Sequence, residues 1–409
     1  MKYGLIGEKL GHSFSKEIHE MIGDYKYEIH EVAKTEIDNF MKEKDFIGIN
    51  VTIPYKETVI PYLDEIDPVA LRIGAVNTII NVGGKLRGYN TDYYGMAALI
   101  EKAGIDCKNK KVLILGTGGT SKTAFALVED LGAKMILKAS INNEIGTITY
   151  EDAITKHNDA EIIINTTPVG MYPKNDGCII DLSHFKNLCG VVDVVYNPLR
   201  TTLVQSAKSL GIKSIAGLYM LVGQAVYASG IFLNKKIDLN IIDSIFDKIN
   251  NDKENIILIG MPSSGKTTIG KMLSEQLNKK LIDTDELIVN EIGMSIKDFM
   301  QTHSEKEFRD VETKCVKEAA KNSSVVIATG GGAVLRSENV KALKQNGKLY
   351  FLKRDLNLLT PTASRPFSSD LESLKKRYIE RLPIYESVCD VVVDNNKSLV
   401  DAIKQIRGE

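Results

Sequence analysis

NIILIGMPSSGKTTI, residues 255 to 269, is the stretch from which the rest of the chain can be read. The apolar run Ile256 to Ile259 has the length and β-branched content of a strand, and it ends at Gly260, ahead of Gly265-Lys266-Thr267. Glycines at 260 and 265 let the backbone curl so that successive N–H groups point at phosphate oxygens. Lys266 adds a positive charge at the β- and γ-phosphates. The Thr267 hydroxyl is placed to ligate Mg²⁺ at the start of a helix over Thr268 to Leu277, and Ser263, Ser264 and Thr268 complete the expected ATP contacts. Such a phosphate-binding loop normally follows the first strand of its domain. Here more chain precedes it than an average domain needs, so a separate unit must lie upstream.

At 409 residues the chain can form two or three domains with well-buried cores. The 52 basic and 53 acidic residues nearly cancel, and no basic block or aromatic-interleaved Lys/Arg stripe is present, which argues against nucleic acid as a partner. Cys107, Cys178, Cys189, Cys315 and Cys389 are odd in number and form no CxxC pair, as expected of reduced cytoplasmic thiols. The start MKYGLIGEKLGHS has no long apolar segment, and no stretch approaches 18 uncharged apolar residues, so neither secretion nor a membrane span is expected.

Upstream, a strand over Tyr3 to Ile6 leads into a turn with Ser13 and Ser15 before a helical pattern. Two hydroxyls there serve either as helix caps or as holders of an anion at the helix start. In GINVTIPYK, Gly48 to Lys56, Asn50 and Thr52 share one strand face, and Pro54 turns the chain just before Lys56. GAVNT (74 to 78) and GYNTD (88 to 92) place an amide or carboxylate where a strand meets a turn, so Lys56, Asn77, Asn90 and Asp92 together offer polar groups to a hydroxylated substrate.

From Lys110 the pattern becomes strand, glycine turn, helix, strand. Lys111 to Leu115 precedes Gly116-Thr117-Gly118-Gly119-Thr120-Ser121, a helix follows to about Leu131, and Met135 to Leu137 is the next strand. Strands over Glu161 to Ile164 and Gly190 to Val195 run into the polar turns containing Thr166 and Tyr196. Such turns at the ends of parallel strands are where an open α/β sheet binds its ligand. Gly217 to Phe232 is an apolar helix with one amide, Gln224. A short amphipathic helix over Ile241 to Ile249 and a polar junction at Asn250 to Glu254 complete this half.

The series Ser13/Ser15, NVTIPYK, GAVNT, YNTD, GTGG, NTTPVGMYP, DVVYNP and GLYMLVGQA resembles shikimate dehydrogenase over nearly all of residues 1 to 235. The resemblance implies NADPH-dependent reduction of 3-dehydroshikimate to shikimate, with Lys56 and Asp92 as the catalytic pair. It also implies that Ser13 and Ser15 hold the substrate carboxylate, with Asn50, Thr52, Asn77, Tyr196 and Gln224 as further contacts. Gly116, Gly118, Gly119, Thr120, Thr166 and Gly217 would line the cofactor site. The family's Asn-Arg-Thr after the second Rossmann strand is replaced by Leu137-Lys138-Ala139-Ser140-Ile141-Asn142. Without the Arg, Lys138 and Ser140 are the groups left for the 2′-phosphate; no acid ends the strand, so NADP is expected over NAD, but with weakened affinity and a shortened following helix.

Downstream, Leu281-Ile282-Asp283-Thr284-Asp285 reads as a strand ending in two carboxylates on one face. It is followed by Glu307-Phe308-Arg309, Val325 to Thr329 with Gly330-Gly331-Gly332, Arg365-Pro366 and Arg381-Leu382-Pro383-Ile384-Tyr385. This set resembles shikimate kinase from about Lys253 to Ile406. It implies phosphoryl transfer from MgATP to the 3-hydroxyl of shikimate, with Lys266 and Arg365 neutralising the phosphoryl group. Thr267 would bind Mg²⁺ directly and Asp283 through water, while Asp285 would take the hydroxyl proton. Arg309 and Arg381 would clamp the substrate carboxylate beside Gly330 to Gly332. Ser304 stands where the family has Gly, and the lid between Leu356 and Asp370 is short.

The expected architecture is therefore α/β throughout. A substrate domain (1 to 92 with 217 to 250) flanks a Rossmann NADP-binding domain (93 to 216), and a linker at 251 to 254 leads to a P-loop kinase domain with a parallel sheet (255 to 409). The two reactions are consecutive steps of chorismate and aromatic amino acid biosynthesis. Rival readings are a shikimate-sensing regulator and an active kinase joined to a non-catalytic shikimate- or quinate-binding half. The regulator would be favoured by loss of Lys56, Asp92, Lys266 or Asp285, and all four are present.

Overall fold

The computed structural model describes all residues except 12, 143 and 361–370. Its first compact unit spans Met1–Asn250 and its second Asn251–Glu409.

In the first unit, six strands form a mixed sheet: β1 (Tyr3–Gly7), β2 (Tyr27–Glu31), β3 (Gly48–Val51), β4 (Glu65–Ile66), β5 (Thr78–Val82) and β6 (Lys85–Tyr89). Their order is β2-β1-β3-β5-β6-β4. β1 runs parallel to β2 and β3, whereas β3–β5 and β5–β6 are antiparallel. A second sheet contains β7 (Lys111–Leu115), β8 (Met135–Ala139), β9 (Ile162–Asn165), β10 (Gly190–Asp193) and β11 (Lys213–Ala216), all parallel in the order β11-β10-β9-β7-β8. Helices cover its faces, so β7, β9 and β10 are near-continuous apolar runs that bury Leu113, Ile163 and Val192 completely.

The helix Leu218–Leu233 returns to pack on the helices Ser15–Ile22 and Thr91–Lys102. Its contact with the latter is made between glycines. A Cβ on Gly95 would lie 2.6 Å from the Met220 carbonyl, and one on Gly223 would lie 3.2 Å from the Gly95 Cα. This crossing brings the start of one helix, with Asp92, and the middle of the other, with Gln224, into one structural block.

The second unit is a parallel sheet of β12 (Asn255–Ile259), β13 (Lys280–Asp283), β14 (Val325–Ala328), β15 (Gly347–Lys353) and β16 (Val391–Asp394), ordered β13-β14-β12-β15-β16. β12 is central, so the glycine loop that follows it sits at the middle of the sheet's C-terminal edge.

Two local expectations change. The helix Ile241–Lys253 continues through the residues expected as a polar junction, because Ile242, Ile245 and Ile249 bury one face and the polar residues that follow extend it. Asp283 and Asp285 do not share a strand face. β13 stops at Asp283, whose carboxylate accepts from the Asp285 N–H at 2.9 Å and caps the helix Thr284–Ile292. The helix after β8, Tyr150–Lys156, has seven residues and is short as expected; it is preceded by a loop that bridges back to the strand at Ala139 and Ile148.

Candidate active sites

Lys56 follows the turn after β3, and Asp92 lies in the first turn of the helix Thr91–Lys102, which the Asn90 side chain caps by accepting from Tyr93 N–H. The Lys56 Nζ donates to Asp92 Oδ2 at 2.6 Å, and the two side chains are only 14% and 9% exposed. The same ammonium is 3.5 Å from Thr120 Oγ1, at the start of the helix after the glycine turn. Gly119 lies beside this junction, where a Cβ would meet the Lys56 side chain at an ordinary 3.7 Å. A paired ammonium thus sits where the mixed sheet meets the glycine turn.

Ser13 and Ser15 are not helix caps: the helix Ser15–Ile22 has Phe14 at its N-cap position, without a side-chain cap. Ser13 Oγ donates to Ser15 Oγ at 3.0 Å and accepts from Ser15 N–H at 3.2 Å. Burial holds the Tyr196 phenol above its usual pKa, against the opposing effect of the Ser13 hydroxyl, so it stays neutral. Gln224 is buried mid-helix, its amide donating to Leu221 O at 2.9 Å. Asn50 does not present a ligand-facing amide. Its Oδ1 accepts from Tyr27 OH at 2.7 Å and its Nδ2 donates to Thr78 Oγ1 at 3.0 Å, all within the sheet. Asn77 is likewise engaged, receiving Thr91 N–H at 2.6 Å and donating to Thr91 Oγ1 at 3.0 Å, so it ties β5 to the helix Thr91–Lys102. Thr52 is half-buried and packs beside Gly7.

At the glycine turn, Gly116 has φ +104°, a backbone that favours glycine, and a Cβ on Gly118 would meet nothing. The open space before a 12-residue helix suits a pyrophosphate. Thr166 Oγ1 donates to Leu115 O at 2.6 Å beneath the turn, and Gly217 is pressed against the Val194 carbonyl with no room for a side chain. The pair expected at the 2′-phosphate is not assembled. Lys138 Nζ lies over the Phe125 ring at 5.6 Å, and the Ser140 hydroxyl is buried, accepting from Asn142 N–H at 3.1 Å.

In the second unit a cleft of about 330 Å³ lies over the C-terminal edge of the sheet. Gly260 and Gly265 have φ of +146° and +86°, and Ser263 also lies in the left-handed region. The Lys266 ammonium donates to Gly260 O and Met261 O, each at 2.8 Å, at the centre of the curled loop. Ser264 is buried, and its carbonyl accepts from Asn395 Nδ2 at 2.6 Å. Ser263 Oγ donates to Thr360 O, and Thr268 faces the cleft. Thr267 Oγ1 and Asp283 Oδ2 approach to 2.8 Å. An all-oxygen pair beside a phosphate loop fits Mg²⁺, which takes few protein ligands and completes its shell with phosphate and water. Among the described residues, no group of three or more His, Cys, Asp or Glu could hold a metal by itself.

Opposite the loop, the Arg309 guanidinium donates to Glu312 at 2.6 Å and to Glu305 at 3.2 Å. Arg381 donates to Gly331 O at 3.1 Å. Gly330 N–H donates to Thr284 Oγ1 at 2.9 Å, and a Cβ on Gly330 would lie 2.7 Å from Asp285 Oδ1, so the triple-glycine backbone runs directly beneath the expected base. Asp285, Arg309 and Arg381 all line the cleft with Lys266. Arg365 falls outside the described residues, as does most of the expected lid.

Residues 5–79 match the family model of the shikimate dehydrogenase substrate binding domain, and residues 262–407 match that of shikimate kinase. Shikimate dehydrogenase (NADP(+)) of Clostridium perfringens is 38% identical over 264 residues, covering 60% of this chain and 97% of that protein. The chain belongs to the shikimate dehydrogenase family. Its second unit is a shikimate kinase domain. Among solved structures, shikimate dehydrogenase 1 from Peptoclostridium difficile matches with a TM-score of 0.57 and 38% identity, covering 61% of this chain and 98% of that one. A chorismate mutase/shikimate 5-dehydrogenase fusion protein from Clostridium acetobutylicum matches at 0.56 and 36%, covering 61% and 97%.

Sequence reasoning missed several supports of these sites. In the kinase domain, Glu312 is 1% exposed and one helical turn past Arg309; burial pushes its carboxyl up, against the opposing Arg309 charge. The spacing FRDVE carried that signal, since positions three apart on a helix are neighbours. Tyr385 donates to Gly331 O at 2.5 Å and is held protonated by burial, its pKa pushed up to about 12. In the dehydrogenase unit, Thr91 and Tyr27 carry the network that fixes Asn77 and Asn50. Among the described residues no helix is long and apolar enough to cross a membrane.

Proposed function

We propose that this chain catalyses two consecutive reactions: NADPH-dependent reduction of 3-dehydroshikimate to shikimate in the first unit, and MgATP-dependent phosphorylation of the shikimate 3-hydroxyl in the second. The observation that carries the reading is the position of Lys56, whose ammonium lies within reach of both Asp92 and the helix that opens after the dinucleotide turn.

NADPH, when bound, supplies the hydride to the ketone carbon. The ketone oxygen gains the electron pair of its broken π-bond and needs a proton, which Lys56 is placed to give. Asp92 orients the ammonium by its 2.6 Å hydrogen bond and can accept from a substrate hydroxyl. Ser13 and Ser15, joined to each other, offer hydroxyls to the substrate carboxylate.

In the kinase domain MgATP supplies the phosphoryl group. The chain's part is positioning and charge neutralisation. Arg309 and Arg381 form a cationic wall for the carboxylate, the arrangement for which a planar guanidinium is suited. Asp285 accepts the hydroxyl proton, Lys266 and Arg365 neutralise the transferring group, and Thr267 with Asp283 would hold Mg²⁺. The five free cysteines support a reducing, cytoplasmic setting.

The test is to incubate the full chain with 3-dehydroshikimate, NADPH and MgATP and identify products by mass. Shikimate 3-phosphate is expected. Recovery of unchanged 3-dehydroshikimate, with phosphorylation of added shikimate, would reduce the first unit to a binding module.

A further inference from the structure

The loop after β8 carries a charge that the cofactor reading above does not use. Ile148 N–H donates to Lys138 O at 2.9 Å and Ser140 N–H donates to Ile148 O at 3.0 Å, so the loop leaves and rejoins the same strand end. Within it, Glu144 is exposed, and its backbone carbonyl accepts from Thr147 N–H at 3.1 Å and Thr147 Oγ1 at 2.8 Å. The Glu144 carboxylate accepts from Thr117 Oγ1 at 3.2 Å, and Thr117 lies between Gly116 and Gly118 in the dinucleotide turn.

In a sheet of this kind, the group that comes off the end of the second strand and faces the first glycine turn meets the adenosine ribose. An acid there bonds a free 2′-hydroxyl, whereas a 2′-phosphate needs a cation. The nearest expected cation looks elsewhere. Lys138 lies over Phe125, which is six residues past Gly119 and so about 9 Å along the helix from its start. The group that does reach the turn is negative. It is flanked by Ile141 and Ile145, 84% and 105% exposed, two large apolar side chains available to a flat base.

We propose that Glu144 is a specificity-determining residue of the dinucleotide site. Its carboxylate accepts from a free adenosine ribose and repels a 2′-phosphate, so the site takes NADH alongside NADPH instead of excluding it. This rests on the dehydrogenase reading of the first unit, but the binding half of its test needs no turnover.

The experiment titrates the full chain with ADP-ribose and with 2′-phospho-ADP-ribose, for the wild type, Glu144→Gln and Glu144→Lys, and adds shikimate oxidation with NAD⁺ and NADP⁺. The wild type should bind the two probes within about tenfold of each other, and both variants should tighten the phosphorylated probe by about tenfold or more. ADP-ribose binding should stay the same or weaken, and KM for NADP⁺ should fall by more than any change in kcat. A wild-type preference for the phosphorylated probe beyond about tenfold, or variants that move both probes alike, would overturn the assignment. Probe binding as expected, with no shikimate oxidation by either nucleotide, would instead refute the proposed reaction and leave Glu144 in its role.

Discussion

Gly95→Ala should damage the dehydrogenase more than it damages the fold. The added methyl would lie 2.6 Å from Met220 O and 2.8 Å from Gln224 N. Both are backbone atoms of the facing helix, so no side chain can swing away, and the helices must part by about 0.5 to 1 Å to regain ordinary contact. Overpacking of this kind costs about 1 to 3 kcal/mol, offset by about 1 kcal/mol because alanine favours helix over glycine. Net destabilisation is then about 0 to 2 kcal/mol. The same displacement separates Asp92, in the first turn of one helix, from Gln224 on the other, and a misplacement of that size costs about 10- to 100-fold in kcat/KM.

The assay is shikimate oxidation with NADP⁺, alongside kinase turnover in the same sample as an internal control, since the kinase domain is a separate compact unit. Gly223→Ala provides a graded comparison: its methyl would lie 3.2 Å from Gly95 Cα and should cost less. Dehydrogenase activity of Gly95→Ala within about threefold of wild type, or a larger loss for Gly223→Ala, would refute the argument that this glycine contact sets the site.

Lys56→Met should lower dehydrogenase kcat by about 10²- to 10⁴-fold, with dinucleotide binding retained in a fluorescence titration. Gly332→Ala places a methyl against the Arg309 guanidinium, and should raise the kinase KM for shikimate about 10- to 100-fold while leaving that for ATP unchanged in steady-state assays. The pH dependence of the first unit should come from two opposed buried groups. Burial pushes Asp193 up to about 6 and His19 down to about 3, so the Asp193 contribution to stability falls as pH rises from 3.8 to 6 while the His19 contribution falls as pH drops from 6.5 to 3. They nearly cancel across their common range, and Asp193→Asn should expose a His19 slope of about 1.4 kcal/mol per pH unit in urea inactivation curves; a slope no steeper than wild type would sink this account.

The chemistry of both sites was legible where a reaction demands a residue type within a short motif. The phosphate loop needed only local spacing, whereas Lys56 and Asp92 were singled out by motifs that resemble a known family, and the folded chain brings Lys56 to Asp92 across 36 residues. The long strands were legible for the same reason, since buried parallel strands are written as apolar runs. What failed was the assignment of polar residues whose duty depends on partners distant in sequence. Asn50 reads as ligand-facing from strand alternation alone, yet Tyr27, 23 residues earlier, absorbs its carbonyl. Asp283 reads as one of two acids on a strand, but a carboxylate at the junction with a helix caps that helix, and the pairing on one face is lost.

The residues expected at the 2′-phosphate show the same limit. The strand end after β8 offers Lys138 and Ser140 by position, which favours a phosphate, but in the folded chain Lys138 lies over Phe125, the Ser140 hydroxyl is buried, and the following loop presents Glu144. A residue's distance along the chain from the glycine turn fixes only that it can reach; which side chain does reach is decided by the bridge at Ile148, and nothing in the local motif encodes that bridge. Catalytic groups are constrained by the bonds they make and break, so their types persist in the sequence as motifs. A specificity group needs only to put the right sign of charge at one point in space, and many loops can do so, which is why its identity has to be taken from geometry.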